Sequence, residues 1–162
     1  MQYEDKEYLI IFYLFIFNIK RINLMFFVKV KVQKSDIDGM GLFADQDIKK
    51  GDIIWKLDKE KINTTLKIID RSILSSLEEE RQTKQIIDVL VYCIYKDEKF
   101  IYYLDENKYI NHSLEPNAFT NKDLTVLATK DIKIGDEITE NYNTYEKDDF
   151  LLHWYKKYNI EL

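Results

Sequence analysis

From Phe26 to Val32 apolar and polar positions alternate. Phe26, Val28, Val30 and Val32 fall on one face and Lys29 and Lys31 on the other, which predicts a strand with one buried face. Further on, Ser72 to Thr83 sets Ile73, Leu74 and Leu77 ahead of Glu78-Glu79-Glu80-Arg81, a pattern that predicts a helix with a polar outer face. Ile86 to Tyr95 is an apolar run rich in β-branched and aromatic residues. Strand is favoured there over buried helix, although periodicity alone does not separate the two. Lys96 to Lys99 predicts a turn, and Phe100 to Leu104 a short strand that feeds a polar stretch, Tyr109 to Asn117. Near the end of the chain, Phe150, Leu151, Trp154, Tyr155 and Tyr158 recur at helical spacing.

An internal echo stands out in this pattern. Ala44-Asp45-Gln46-Asp47-Ile48-Lys49-Lys50-Gly51-Asp52-Ile53-Ile54 matches Ala128-Thr129-Lys130-Asp131-Ile132-Lys133-Ile134-Gly135-Asp136-Glu137-Ile138 in register at Ala, Asp, Ile, Lys, Gly, Asp and Ile. Each copy reads as a strand, a polar turn through Lys-x-Gly-Asp, and a second strand. Two copies are too few for a solenoid, so the expectation is two similar hairpins flanking the middle of one fold.

Residues 1 to 25 differ from the rest. Tyr8 to Phe17 is an unbroken apolar run, too short alone to span a bilayer, and it is interrupted by Asn18, Lys20, Arg21 and Asn23. Glu4, Asp5 and Glu7 at the start, with no small-residue cleavage site, argue against a signal peptide. Three readings stand: an added strand or helix covering the core, a segment adhering to a membrane through its apolar run and the Lys20-Arg21 pair, or an extension upstream of a natural start at Met25. The first and third are favoured over membrane contact. The expected division is an extension over 1–25, a domain over 26–145 and a helical tail over 146–162 that closes the site.

Composition narrows the class. With 162 residues, 33% charged and 14% aromatic, the chain reads as a single globular domain with a real core. A net charge of −5 argues against nucleic acid as the main partner and is compatible with a basic peptide. The single cysteine, Cys93, excludes an internal disulfide and a cysteine-rich zinc site; a buried, inert thiol in a reducing compartment is expected.

Candidate chemistry concentrates in the polar stretch. It holds Pro116, the only proline, and His112, one of two histidines; Glu115-Pro116-Asn117 reads as a turn. Asn111, His112 and Ser113 can hydrogen-bond backbone or a bound group. Gly39-Met40-Gly41 permits a tight turn and close approach to bare backbone, but lacks the third glycine of a dinucleotide fingerprint. His153 lies in the predicted tail helix without a motif around it, so a structural role is expected.

Three stretches in order, Gly39-Met40-Gly41-Leu42-Phe43-Ala44, Asn111-His112-Ser113-Leu114-Glu115-Pro116-Asn117 and Gly135-Asp136-Glu137-Ile138-Thr139-Glu140-Asn141-Tyr142, resemble the signature of SET-domain protein lysine methyltransferases. The resemblance covers about Phe26 to Tyr145, and the length is similar to stand-alone SET proteins. It implies a mainly β fold of small curled sheets with few short helices and a knot-like threading that joins the second and third motifs. It also implies S-adenosylmethionine as cofactor, approached by Gly39, Met40 and Gly41, bonded by the Asn111 amide, and with its adenine positioned by His112, largely through backbone. Tyr142 would stand at the methyl-transfer centre. Tyr92, Tyr103, Glu140 and Tyr145 are candidates for a substrate channel, and Phe150 and Trp154 for a cover over the adenine.

The implied reaction is in-line attack of a neutral lysine amine on a sulfonium methyl, which asks the protein for alignment and desolvation. Lysine, with a reference pKa of about 10.4, must first lose a proton, and an apolar aromatic channel favours that loss. The sequence departs from the family pattern in two places. Leu114 stands where many members have Cys, and no cysteines follow the domain, so a zinc cap is excluded and no metal is expected. Glu140 stands where Phe or Tyr is common, which leaves the number of methyl groups added undecided. The leading expectation is a protein-lysine N-methyltransferase acting on a lysine-containing protein, histone or other, inside the cell in cytoplasm or nucleus. The alternative is a non-catalytic SET module that serves as a peptide- or cofactor-binding scaffold.

Overall fold

The computed structural model describes residues 25–58, 60, 62–145 and 147–160. The apolar run before Met25 lies outside these residues. Ten strands and four helices follow in order: β1 (Val30–Lys34), β2 (Met40–Ala44), β3 (Ile53–Lys56), α1 (Ile62–Thr65), β4 (Leu66–Asp70), α2 (Ile73–Glu79), α3 (Thr83–Tyr92), β5 (Ile94–Lys96), β6 (Lys99–Tyr103), β7 (Asn111–His112), β8 (Ala118–Thr120), β9 (Thr125–Ala128), β10 (Glu137–Glu140) and α4 (Asp149–Lys157). They form three small sheets in the orders β1-β2-β10-β7, β3-β9-β8 and β4-β6-β5. This is the mainly β, short-helix architecture that the sequence leads one to expect.

The alternating stretch at Phe26 serves two sheets rather than one strand. Phe27 N–H donates to the Ile54 carbonyl and Lys56 N–H to the Met25 carbonyl, so the first residues pair with β3. Only from Val30 does the chain pair with β2, Val30 opposite Ala44 and Val32 opposite Leu42. The alternation survives the change of partner because both sheets cover the same core, in which Met25, Leu42, Ile54, Trp55 and Ile138 are buried and Val28, Val30 and Val32 pack at the edge.

The repeated segments are not two hairpins. β2 pairs with β1 and β10, and β3 with β9, never with each other. The two copies clasp one another instead. Ile48 and Ile132 exchange both backbone hydrogen bonds, at 2.9 Å each. Asp131 accepts from Lys49 Nζ (2.8 Å) and Lys50 N (3.0 Å), while Asp47 accepts from Lys133 Nζ (3.0 Å) and Ile134 N (3.0 Å), the same pattern reflected across the pair. Gly51 and Gly135 take φ of +90° and +94°, a conformation that disfavours any side chain, so the repeat needs its glycines.

A second core lies under the helices: Leu74, Leu77, Ile86, Val89, Leu90, Tyr95, Phe100, Leu151 and Trp154. Here the strand favoured over Ile86–Tyr95 is corrected: residues 83–92 are helix α3, and the strand is only Ile94–Lys96. Ile86, Val89 and Leu90 form the buried stripe at i, i+3 and i+4, which overrides the β-branched composition of the run. The turn and strand after it are as expected. Asp97 and Glu98 both take positive φ in a two-residue hairpin loop between β5 and β6. The tail helix α4 is capped by Asp148, whose side chain accepts from Leu151 N, and carries Lys156 and Lys157 in its last turn. Cys93 packs against this second core, and burial pushes its thiol up to about 12, the inert state expected.

Two outcomes follow from the clasp. Ile132→Ala, at a side chain that is 1% exposed, is expected to lower unfolding free energy by about 2–5 kcal/mol in urea titrations. Hydrogen bonds from Lys and backbone hold the Asp47 and Asp131 carboxyls below the usual carboxylate range. A depressed folded pKa stabilises above the unfolded value of about 3.9 and is lost as pH falls through the lower folded value. The double variant Asp47→Asn/Asp131→Asn is therefore expected to show a shallower loss of stability on acidification below about pH 4, measured by denaturant midpoint against pH.

Candidate active site

β10 is the strand on which the site is built. It lies antiparallel to β2 and parallel to β7, with Ile138 opposite Leu42, Thr139 opposite Asn111 and Glu140 opposite His112. The parallel pairing sets the second and third motifs side by side, and β2 brings the end of the first. Asn117 locks the register: its Nδ2 donates to the Glu137 carbonyl (2.7 Å), and its Oδ1 accepts from Thr139 N (2.9 Å). Ser113 N–H adds a bond to the Glu140 carbonyl at 2.9 Å. The turn read at Glu115-Pro116-Asn117 thus ends on a buried amide that acts as a backbone surrogate for its neighbour strand.

The Asn111 side chain reaches the Gly39–Gly41 bend. Its Nδ2 donates to the carbonyls of Asp38 (3.1 Å) and Met40 (3.2 Å) and to Glu137 Oε1 (2.7 Å). The Glu137 carboxylate also accepts from the Ser35 hydroxyl at 2.9 Å on both oxygens. A Cβ on Gly41 would stand 2.2 Å from Glu137 Oε1, so the second glycine of the motif makes room for this carboxylate. Gly39 has φ of +46° and nothing within 4 Å of a would-be Cβ. Ser35 and Glu137 were not singled out from sequence. The one available signal was Glu137 inside the third motif, where an acidic residue on a strand reads as solvated.

Tyr142 closes the other side. Its hydroxyl donates to the Ile110 carbonyl through a short hydrogen bond, next to Asn111 in the chain. Its backbone N–H donates to His112 Nδ1 at 3.1 Å, and the two rings lie 5.3 Å apart. The His112 side chain therefore fixes the start of the Tyr142 turn. Tyr145 stacks on Tyr142 with centroids 5.4 Å apart. Burial, reinforced by the Glu140 carboxylate, pushes the Tyr142 phenol up to about 12, so it stays a neutral hydroxyl at physiological pH.

Glu140 lies beneath this stack and is buried. Its Oε1 accepts from Thr120 Oγ1 at 2.7 Å, and its Oε2 from the Tyr145 hydroxyl. Desolvation raises its carboxyl above the ordinary range, only partly opposed by those two donors. Tyr103 is buried beside it, edge-on to Trp55 at 5.3 Å, and its hydroxyl has no hydrogen-bond partner.

Three candidates stand apart from this group. Tyr92 ends α3 with 66% of its surface exposed, so nothing encloses it as a channel wall. Phe150 stacks on Tyr95 (6.3 Å) under the Arg71 guanidinium (5.0 Å), and Trp154 stacks on Tyr158 (5.8 Å). Trp154 lies in the second core and Phe150 packs against it, on the apolar face that helical spacing gives α4. Among the described residues no group of three or more His, Cys, Asp or Glu side chains is placed to hold a metal, and no helix is long and apolar enough to cross a membrane.

Residues 39–143 match the SET domain, and the chain belongs to the SET-domain family. It is 29% identical over 131 residues to the variant-silencing SET domain-containing protein of Plasmodium falciparum, covering 72% of this chain and 5% of that protein. It is 30% identical over 125 residues to the H3 lysine-36 specific histone-lysine N-methyltransferase of Candida albicans, covering 71% of this chain and 14% of that protein. The chain thus spans a small part of the length of these relatives. Its fold is similar to Polycomb Repressive Complex 2 of Chaetomium thermophilum in an autoinhibited state (TM-score 0.59, 22% identity, 83% of this chain and 18% of that one). It is also similar to the same complex bound to S-adenosylmethionine (TM-score 0.57, 21% identity, 82% and 17%).

The packing of Gly41 on Glu137 yields a direct outcome. Gly41→Ala is expected to destabilise the fold by about 1–3 kcal/mol, the usual range for overpacking. Much of that loss should be recovered in Gly41→Ala/Glu137→Ala, a non-additivity that a double-mutant cycle from thermal melts would measure.

Proposed function

We propose that the chain is an S-adenosylmethionine-dependent protein-lysine N-methyltransferase. The observation that carries the reading is the convergence, at two consecutive residues, of the Asn111 amide on the Gly39–Gly41 bend and the Tyr142 hydroxyl on the Ile110 carbonyl. Two relatives carry histone-lysine methylation or SET-domain silencing in their names, and a structure of similar fold holds the cofactor. A histone or another basic protein is the substrate class that fits this reading and the net charge of −5.

The residues fit the cofactor chemically. The carbonyls of Asp38 and Met40 and the Glu137 carboxylate are acceptors gathered at one bend, suited to an amino-acid ammonium group, and the space a Gly39 Cβ would take is free of other atoms. When bound, the cofactor supplies an activated methyl on a sulfonium. The protein's part is alignment and exclusion of water. Asn111 fixes the bend, Asn117 fixes β10 against β7, and His112 fixes the start of the Tyr142 turn. Tyr142, neutral and already donating to Ile110, keeps its oxygen lone pairs for the amine and for polarised C–H groups. Tyr142 and Tyr145 offer stacked ring faces to a cationic side chain.

A scaffold without catalysis is the second reading, favoured by Glu140 where the family commonly has an aromatic residue. One variant separates the two. Tyr142→Phe is expected to lower turnover of labelled methyl onto a lysine-rich protein by about 10²-fold or more, an oriented hydroxyl being worth a few kcal/mol in a dry site. Cofactor affinity by calorimetry should stay within about twofold, whereas Asn111→Ala, which removes a polar contact from the bend, should weaken it by about tenfold. No turnover by a wild-type chain that binds cofactor would favour the scaffold.

A further inference from the structure

Glu140 is a buried carboxylate to which the mechanism so far gives no part. The groups acting on it are its burial, Tyr145 and Thr120, with no Lys or Arg among them. A buried carboxylate without a cation is destabilising, and such groups cluster at functional sites. Its two oxygens face different ways. Oε2 holds the hydroxyl of Tyr145, whose ring lies against Tyr142, and Oε1 holds the hydroxyl of Thr120, a half-buried residue on β8. The remaining titratable neighbours are Tyr103 from β6, Tyr142 from the following turn and His112, its register partner on β7. The Tyr103 and Tyr142 phenols are held neutral by burial, and His112 Nδ1 accepts from Tyr142 N–H.

Resting on the methyltransferase reading above, we propose that Glu140 is the proton acceptor for the incoming lysine ammonium, reached through the Tyr145 hydroxyl. The ammonium gives a proton to the Tyr145 oxygen, and the Tyr145 hydroxyl proton passes to Glu140 Oε2. The products are a neutral amine, an unchanged phenol and a protonated carboxyl. The amine, its lone pair now free, is the nucleophile, and the charge gained on methylation stays on the product nitrogen. The carboxyl then returns its proton to water on the Thr120 side, which restores the carboxylate for the next substrate. A raised carboxyl affinity for protons suits the task, since a base is most effective with a pKa near the working pH. Glu140 acts through Tyr145 and is in that sense a positioning residue. It replaces with a chemical acceptor what an aromatic residue at this position supplies only as shape.

The test uses the full chain with S-adenosylmethionine and a lysine-rich protein. Glu140→Gln is expected to lower kcat by about 10²-fold or more, the range for loss of a general base. It should also remove the acid limb of the kcat–pH profile while leaving the cofactor Kd within twofold; Glu140→Asp should restore part of both. Tyr145→Phe, which leaves the carboxylate in place and cuts the link, should lose the same limb. Independently of turnover, infrared spectra of the chain without cofactor should show a protonated-carboxyl band persisting above the usual carboxylate range and missing from Glu140→Gln. An unchanged pH profile and rate in Glu140→Gln, or a Glu140 band that titrates like an exposed carboxylate, overturns this inference and leaves the methyltransferase reading intact. A wild-type chain that binds cofactor and never turns over overturns both.

Discussion

The parallel contact between β7 and β10 is the constraint on which the rest depends. β7 is only two residues long, and two residues of parallel ladder hold little by themselves. What makes the contact permanent is the Asn117 amide, which satisfies a donor and an acceptor of β10 while its own carbonyl takes Thr129 N–H. A buried side chain completes what the short strand cannot. Asn111 and His112 on one strand and Glu137 and Glu140 on the other are thereby held at fixed offsets.

Around that contact the polar groups divide into two networks. One runs Ser35–Glu137–Asn111 to the carbonyls of Asp38 and Met40 and fixes where backbone can meet a bound group. The other runs Thr120–Glu140–Tyr145 and on to Tyr142 by stacking, and it sets the electrostatics under the phenols. Both hang from one four-residue strand, so the geometry of one network and the charge of the other are not independently adjustable. A buried network of this kind gains its strength from low dielectric and loses it sharply when any member is missing.

Much of this was legible in the sequence because the site residues are of types that structure alone rarely requires together: a Gly-x-Gly bend, an Asn-His-Ser before the only proline, and a terminal tyrosine. The tail helix and the two-residue hairpin were legible from spacing and turn chemistry. Other features were not, for physical reasons. Ile86, Ile87, Val89 and Val91 have strand propensity, yet burial of Ile86, Val89 and Leu90 decides for helix. The repeats were visible as repeats, but a strand-turn-strand pattern does not say whether its edges pair with themselves or with their twin. Glu137 is not distinguishable from a solvated charge, and the burial of Glu140 is not legible, because nothing local shows that β10 is covered by β2 on one edge and β7 on the other. The spacing of the rings in α4 shows an apolar face, but not that the face packs on the second core.

The clasp between the repeated segments has a mechanical meaning. The first copy runs straight out of β2, which carries the Met40 bend, and the second runs straight into β10, which carries Glu137 and Glu140. Two arms thus meet at the Ile48–Ile132 bridge and tie together, from outside the sheet, two strands that also pair directly with each other. The Lys–Asp bridges on either side make the join reciprocal, so the register of β2 against β10 is fixed from a point outside the sheet as well as within it.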